Sequence, residues 1–243
     1  MCFLFFMKGC LPMKVFRLCA VSIAIFWALS AFAQVLTPPA LKADWARVYI
    51  ENVGSIDLPP TMEVQGGQYK EFSDDLLGSY GFKVSSQLIA QQKGLNEYKG
   101  PKGQYAGKYA RVMVDTETGN YGDYDKLNFN IHEYKKSDIA ELDKIYKQYI
   151  QQESVKASRS GLGQMKLIEW YPLKFENING MSCIHVSYTR QMNDNPLVLV
   201  HMYVFQNNDR VHNLTMSYRQ SESDYWKNDF SHILNSFRIT NIR

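Results

Sequence analysis

The sequence predicts an α+β fold: an antiparallel β-sheet of six or more strands flanked by helices as an α/β/α sandwich. Three observations carry this. Asn179-Gly180 separates two extended runs, and a tight hairpin turn needs positive φ at both central residues, which this pair tolerates. Further alternating runs follow at short spacing, so neighbouring strands run antiparallel. Finally, Trp226, Phe230, Ile233, Leu234 and Phe237 recur at helical spacing and form a wide apolar stripe suited to covering a sheet.

Along the chain, residues 1–33 have the parts of a secretory signal. Lys14 and Arg17 are its charged region. Leu18 to Leu29 is apolar but short for a membrane span, and Ala31 and Ala33 supply the small residues that a signal peptidase requires. Cleavage is expected between Ala33 and Gln34, and Met13 is an alternative start. The charged and bulky Arg17-Leu18 before Cys19 excludes a lipid attachment site there. Residues 34–45, with Pro38-Pro39, read as a linker, and 46–243 as one domain.

Arg47 to Leu58 reads as a strand that stops at Pro59-Pro60, since proline cannot donate to a ladder. Phe82 to Ala90, Tyr109 to Val114 and Leu127 to Tyr134 are further strands, with a glycine-rich loop over Gly94 to Gly107. Asp138 to Val155 is a helix whose stripe is Ile139, Leu142, Ile145/Tyr146 and Tyr149/Ile150, and Asp138 with Glu141 has capping-box spacing. Met165 to Trp170 and Leu173 to Ile178 are extended. Strands over 181–190, Leu197 to Phe205 and Val211 to Tyr218 follow, the last two joined at Asn207-Asn208-Asp209. The final helix starts near Glu222, where Ser221 and Asp224 again have capping-box spacing.

Charge narrows the function. Loss of residues 1–33 removes Lys8, Lys14 and Arg17 and no acid, so the 27 Lys+Arg fall to 24, level with 24 Asp+Glu. A neutral exported domain has no electrostatic basis for holding nucleic acid. Cys2, Cys10 and Cys19 leave with the same segment. Only Cys183 remains, and no internal disulfide is possible.

The runs IHVSYTR, LVLVHMYVFQ, RVHNLTMSYR and SESDYWKNDFSHILNSFRI, with GSIDLPP at 54–60 and the closing Ser236-Phe237, resemble the PsbP-like superfamily, including its DcrB-like bacterial members. The resemblance covers the C-terminal third well, 47–64 loosely and the middle poorly. It implies an antiparallel sheet sandwiched by helices and a binding or assembly role. It brings no catalytic residues with it.

Gly-x-Ser-x-Gly, His-Glu-x-x-His and Cys-x-x-Cys are absent from the sequence, so no catalytic residue is assigned and no cofactor is expected. The loop Gly103 to Lys108 is one residue short of a phosphate loop and lacks the following Ser/Thr. Asp74-Asp75 has no identifiable second carboxylate for glycosidase chemistry. Asp115, Glu117, Asn120, Asp123 and Asp125 do not fit an EF-hand and read as a solvated turn.

Strand alternation places Cys183, His185 and Ser187 on one face, with His201 and Tyr203 beside them. A register sum of 386 sets His185 opposite His201, and 388 sets it opposite Tyr203. The same reading puts Thr215 on this face. The preferred interpretation is an inert, hydrogen-bonded polar layer; the alternative is a metal site or a Cys–His nucleophile built from Cys183, His185 and His201. Tyr203, Thr215, Tyr105 and Tyr109 are candidate binding residues, the last two belonging to a tyrosine- and glycine-rich region that would suit a glycan or a protein. The expected function is therefore binding in the cell envelope, in the periplasm or outside the cell. Its partner would be a protein, with no nucleic acid and no stable membrane span after cleavage.

Overall fold

The computed structural model describes residues 40–66, 84–95, 107–127, 134–159 and 164–243. The signal, half of the linker, most of the strand expected over Leu127 to Tyr134, the Asp74-Asp75 pair, Tyr105 and most of the Gly94 to Gly107 loop lie outside them. Among the described residues no helix is long and apolar enough to cross a membrane.

The expected strand at 47–58 is a hairpin: β1 (Ala46–Ile50) pairs antiparallel with β2 (Gly54–Leu58). Asn52, at φ +59°, turns the chain between them, which period-two alternation could not reveal. β3 (Met62–Val64), β4 (Val84–Gln92) and β5 (Ala110–Thr118) follow. Helix α1 spans Lys136–Arg159. It begins two residues before the expected cap, so Asp138 lies inside the first turn, where a carboxylate favours the positive helix end.

β6 (Met165–Ile178) merges the two expected extended runs, with irregular pairing around Leu167/Glu169 and Tyr171/Lys174. Pro172 lies in the second irregularity, where a missing amide costs no ladder bond. Asn179 and Gly180 have φ of +55° and +79°, and Ile178 faces Met181 as a two-residue turn requires. β7 (Met181–Met192), β8 (Val198–Gln206) and β9 (Arg210–Arg219) complete the meander. A 3₁₀ turn at Gln220–Glu222 leads into helix α2 (Ser223–Ser236), and β10 (Arg238–Ile239) follows. The expected Ser221–Asp224 box is not formed. Glu222 occupies the N-cap without a side-chain cap bond, because its carboxylate is engaged elsewhere.

Two antiparallel sheets result. The larger has the order β3-β4-β5-β9-β8-β7-β6, and the smaller β1-β2-β10. One face of the large sheet packs Leu214, Met216, Tyr218, Phe205 and Cys183 against Trp226, Phe230 and Ile233 of α2 and Ile56 of the small sheet. The opposite face packs Ile184, Val186, Val200 and Val204 against Ile150 and neighbouring residues of α1. Burying each large side chain of this kind contributes about 1.5–3 kcal/mol. Asp143 fixes α1 to the β6 irregularity, accepting from Trp170 Nε1 at 3.0 Å and the Leu173 amide at 2.7 Å.

The small sheet is tied to α2 by polar contacts. Buried Asp57 accepts from Arg47 Nε and Nη2 at 2.7 and 2.9 Å. Its amide donates to Ser236 Oγ at 2.8 Å, and that hydroxyl donates to the Ile233 carbonyl. The GSIDLPP and Ser-Phe segments, far apart in sequence, thus meet at a direct hydrogen bond.

Candidate functional site

β7 pairs with β8 at the register sum of 388: His185 faces Tyr203 and Ser187 faces His201. Cys183, His185, His201 and Tyr203 share one face, as expected. Thr215 does not. It pairs with Met202 and lies on the opposite face. The reason is the turn: Asn207 pairs back to Arg210, so two residues turn the chain rather than three, and this shifts β9 by one position and exchanges its faces.

The histidines form a chain with a member that local spacing concealed. Glu176 of β6 stands opposite Cys183. Its Oε1 lies 2.9 Å from His185 Nδ1, and His185 Nε2 lies 3.0 Å from His201 Nδ1. A carboxylate only accepts, so His185 carries a proton on Nδ1, and one proton is shared between His185 Nε2 and His201 Nδ1. Tyr203 stacks on His185 with centroids 4.3 Å apart. Burial, His185 and Lys174 hold the His201 imidazole down to about 4. A base that weak has little proton affinity at neutral pH.

Cys183 is 0% exposed. Burial and the nearby Glu176 push its thiol up to about 12, which disfavours the thiolate form. Among the described residues no group of three His, Cys, Asp or Glu side chains is placed to hold a metal ion. Burial likewise raises the Tyr203 hydroxyl.

Tyr109 precedes β5 and lies on the α1 face, half-buried. Its amide donates to Glu222 Oε2 at 3.0 Å, and its hydroxyl bonds Ser217 and Arg190. It is therefore not an open stacking platform. Glu222 also accepts from Arg219 and Trp226, making a node of three donors. In the acidic segment, Asp115 and Glu117 belong to β5, while Asp123 accepts from the Asn120 amide and side chain within a turn.

One end of the molecule is a hydrogen-bonded cluster of turns. Asn207 Nδ2 donates to the Asn241 carbonyl at 2.8 Å, and the Arg243 amide donates back to Asn207 Oδ1 at 2.9 Å. Asn241 Nδ2 donates to the Asn52 carbonyl, and the Gly122 amide to Asn208 Oδ1. Backbone bonds join Tyr124 with Asn208, and Gly119 with Asp209. At this end Tyr121 is 88% exposed and Tyr49 81%, with Ile242 also exposed. Beneath it His212 is buried, bonded to Thr116 Oγ1 at 2.9 Å and facing Asn207 Nδ2 at 3.4 Å. The sequence offered asparagines at turns, but not their mutual bonds, which join residues remote in the chain.

No family model matches the chain, and no curated protein does. Among solved structures it is similar to the cyanobacterial PsbP (CyanoP) of Synechocystis sp. PCC 6803, with TM-score 0.43 and 11% identity over 83% of this chain and 95% of that one. It is also similar to LpqN of Mycobacterium tuberculosis, described as involved in cell envelope biogenesis. There the TM-score is 0.39 and identity 10%, over 81% of this chain and 90% of that one. Overlaps at this level place the chain in no family. The α+β class rests on the strand order and register described above.

Proposed function

We propose that the protein is exported, is cleaved between Ala33 and Gln34, and acts in the cell envelope by binding a protein partner rather than by catalysis. The observation that carries this reading is the end built from the Asn52, Asn120–Tyr124, Asn207–Arg210 and Thr240–Arg243 segments. Its turns are held by asparagine side chains, and it presents Tyr49, Tyr121 and Ile242 to solvent. A pre-ordered surface loses little freedom on binding, and exposed tyrosines are favoured anchors of protein interfaces. The cysteine and histidine chemistry supports the same reading, since the thiol is buried and the imidazoles are engaged with each other and with Glu176. The PsbP-like resemblance of the sequence, DcrB-like members included, agrees with it.

The test is co-purification from cells producing the full chain with a C-terminal tag. Tyr121→Ala combined with Tyr49→Ala should abolish a specific co-purifying protein without changing the melting temperature. His185→Gln with His201→Gln should leave that protein in place. Retention of the partner in the tyrosine variant, or its loss only in the histidine variant, contradicts the proposal. The mass of the recovered chain checks cleavage at Ala33.

A further inference from the structure

The asparagine-bonded end rests on a buried histidine. Strand pairing sets His212 of β9 between Thr116 of β5 and Phe205 of β8, under the turn that Asn207 begins. His212 and Asn207 are both 0% exposed. Their hydrogen bonds fix both side chains. Asn207 Oδ1 accepts from the Arg243 amide at 2.9 Å, so Nδ2 is the donor that meets the Asn241 carbonyl at 2.8 Å. The same Nδ2 faces His212 Nε2 at 3.4 Å. An amide NH2 only donates, so Nε2 carries a lone pair, and the imidazole proton sits on Nδ1, 2.9 Å from Thr116 Oγ1. These partners suit a neutral imidazole alone.

A proton on Nε2 would set N–H against N–H. Turning the Asn207 amide over gives that proton an acceptor, but it then sets Nδ2 against the Arg243 amide and Oδ1 against the Asn241 carbonyl. No orientation of this amide serves an imidazolium and the C-terminal segment together, and buried groups left unmatched are costly. Asn241 Nδ2 in turn holds the Asn52 carbonyl in the β1–β2 turn. The charged groups nearby do not relieve the conflict. Arg210, two residues before His212, is bonded to Asp209 at 2.9 and 3.1 Å, and Asp209 also feels Arg243. Thr116 and Phe205 do not titrate, and the β1–β2 turn offers the C-terminal segment the uncharged Asn52 and Val53 carbonyls. Burial first, then Arg210, against a smaller opposing pull from Asp209, hold the His212 imidazole down to about 4.

We propose that His212 is a proton switch for the turn end: a proton on Nε2 breaks the Asn207 bonds, frees Asn241 and Arg243, and so releases the protein partner in acid surroundings. The release step rests on the protein-binding reading, and the undocking step does not.

The experiment is amide hydrogen exchange of the full chain by NMR at pH 7 and pH 4.5, corrected for the chemical rate at each pH, with co-purification at the same two values. Protection of the Arg243 amide should fall about tenfold or more at pH 4.5, while the β7 amides stay protected. The fall should vanish in His212→Gln, whose side-chain oxygen accepts from Asn207 at either pH. It should persist in His201→Gln. Asn207→Ala should show the low protection already at pH 7, and it decides with the wild type if His212→Gln does not fold. The partner should stay on the wild type at pH 7, leave at pH 4.5, and stay on His212→Gln at both. Arg243 protection that is unchanged at pH 4.5, falls equally in His212→Gln, or falls together with that of β7 overturns the switch and leaves the binding reading standing. A partner that stays bound at pH 4.5 after Arg243 is freed overturns the release. Absence of any partner at pH 7 overturns the binding reading and the release with it, and the exchange result then decides the switch.

Discussion

His201 and His212 give the protein a definite acid response. Burial is the first cause for both, and each is held down to about 4. Between pH 6.5 and about 4 the unfolded chain therefore binds more protons than the folded one, and stability falls as pH drops through that window. Below about 4 these two groups contribute no further loss. The shift corresponds to roughly 3 kcal/mol for each histidine. Urea midpoints at pH 7 and pH 4.5 should differ strongly in the wild type and less in His212→Gln. Equal pH dependence in the two would show that His212 is not the source. Cys183 gives a second check. Thiol labelling of the protein cleaved at Ala33 should be absent under native conditions and complete in denaturant, because the only sulfhydryl is buried and held protonated. At this scale the sequence was half legible. Alternation placed Cys183, His185, His201 and Tyr203 on one face, because each lies in a regular strand. The two-residue Asn179-Gly180 turn sets Glu176 opposite Cys183, but its bond to His185 runs diagonally across the strands, which pairing alone does not give.

Among the elements, hairpins and the closing helix were readable for local reasons: positive φ at Asn179-Gly180, and the i, i+4, i+7 stripe of α2. The errors came from turns. One residue fewer in the β8–β9 turn exchanged the faces of β9 and moved Thr215 to the other side of the sheet. An unrecognised turn at Asn52 split one expected strand into two. Non-local constraints make the sharpest predictions here. A Cβ on Gly54 would lie 1.9 Å from the Arg238 carbonyl oxygen, a backbone atom of β10 that cannot move aside alone. Gly54→Ala should therefore cost about 1–3 kcal/mol or more and lower the melting temperature, whereas Gly66→Ala, with nothing near its Cβ, should be close to neutral. Similar melting temperatures for the two would contradict the packing of β10 on β2. Glu222→Ala should cost about 1–3 kcal/mol, since it leaves three donors, including the Tyr109 amide, without their acceptor.

For the whole molecule, two helices lie on opposite faces of one antiparallel sheet, and two ends of that sheet differ in chemistry. One end holds the asparagine-bonded turns with Tyr49 and Tyr121 outward. At the other, Arg111 donates to Gln91 on the neighbouring strand, and Tyr109 lies by Arg190 and Ser217. The α/β/α arrangement was legible because helical and alternating periods are local patterns. Neither end was, because each is assembled from segments that meet only through topology. We propose that the turn end contacts a protein partner in the envelope. The most direct test places a photo-crosslinking residue at Tyr121 of the full chain in living cells, with Lys166 on β6 as the control. A discrete heavier adduct is expected from Tyr121 in the envelope fraction and none from Lys166. Equal labelling at both positions, or no adduct at Tyr121, would contradict it.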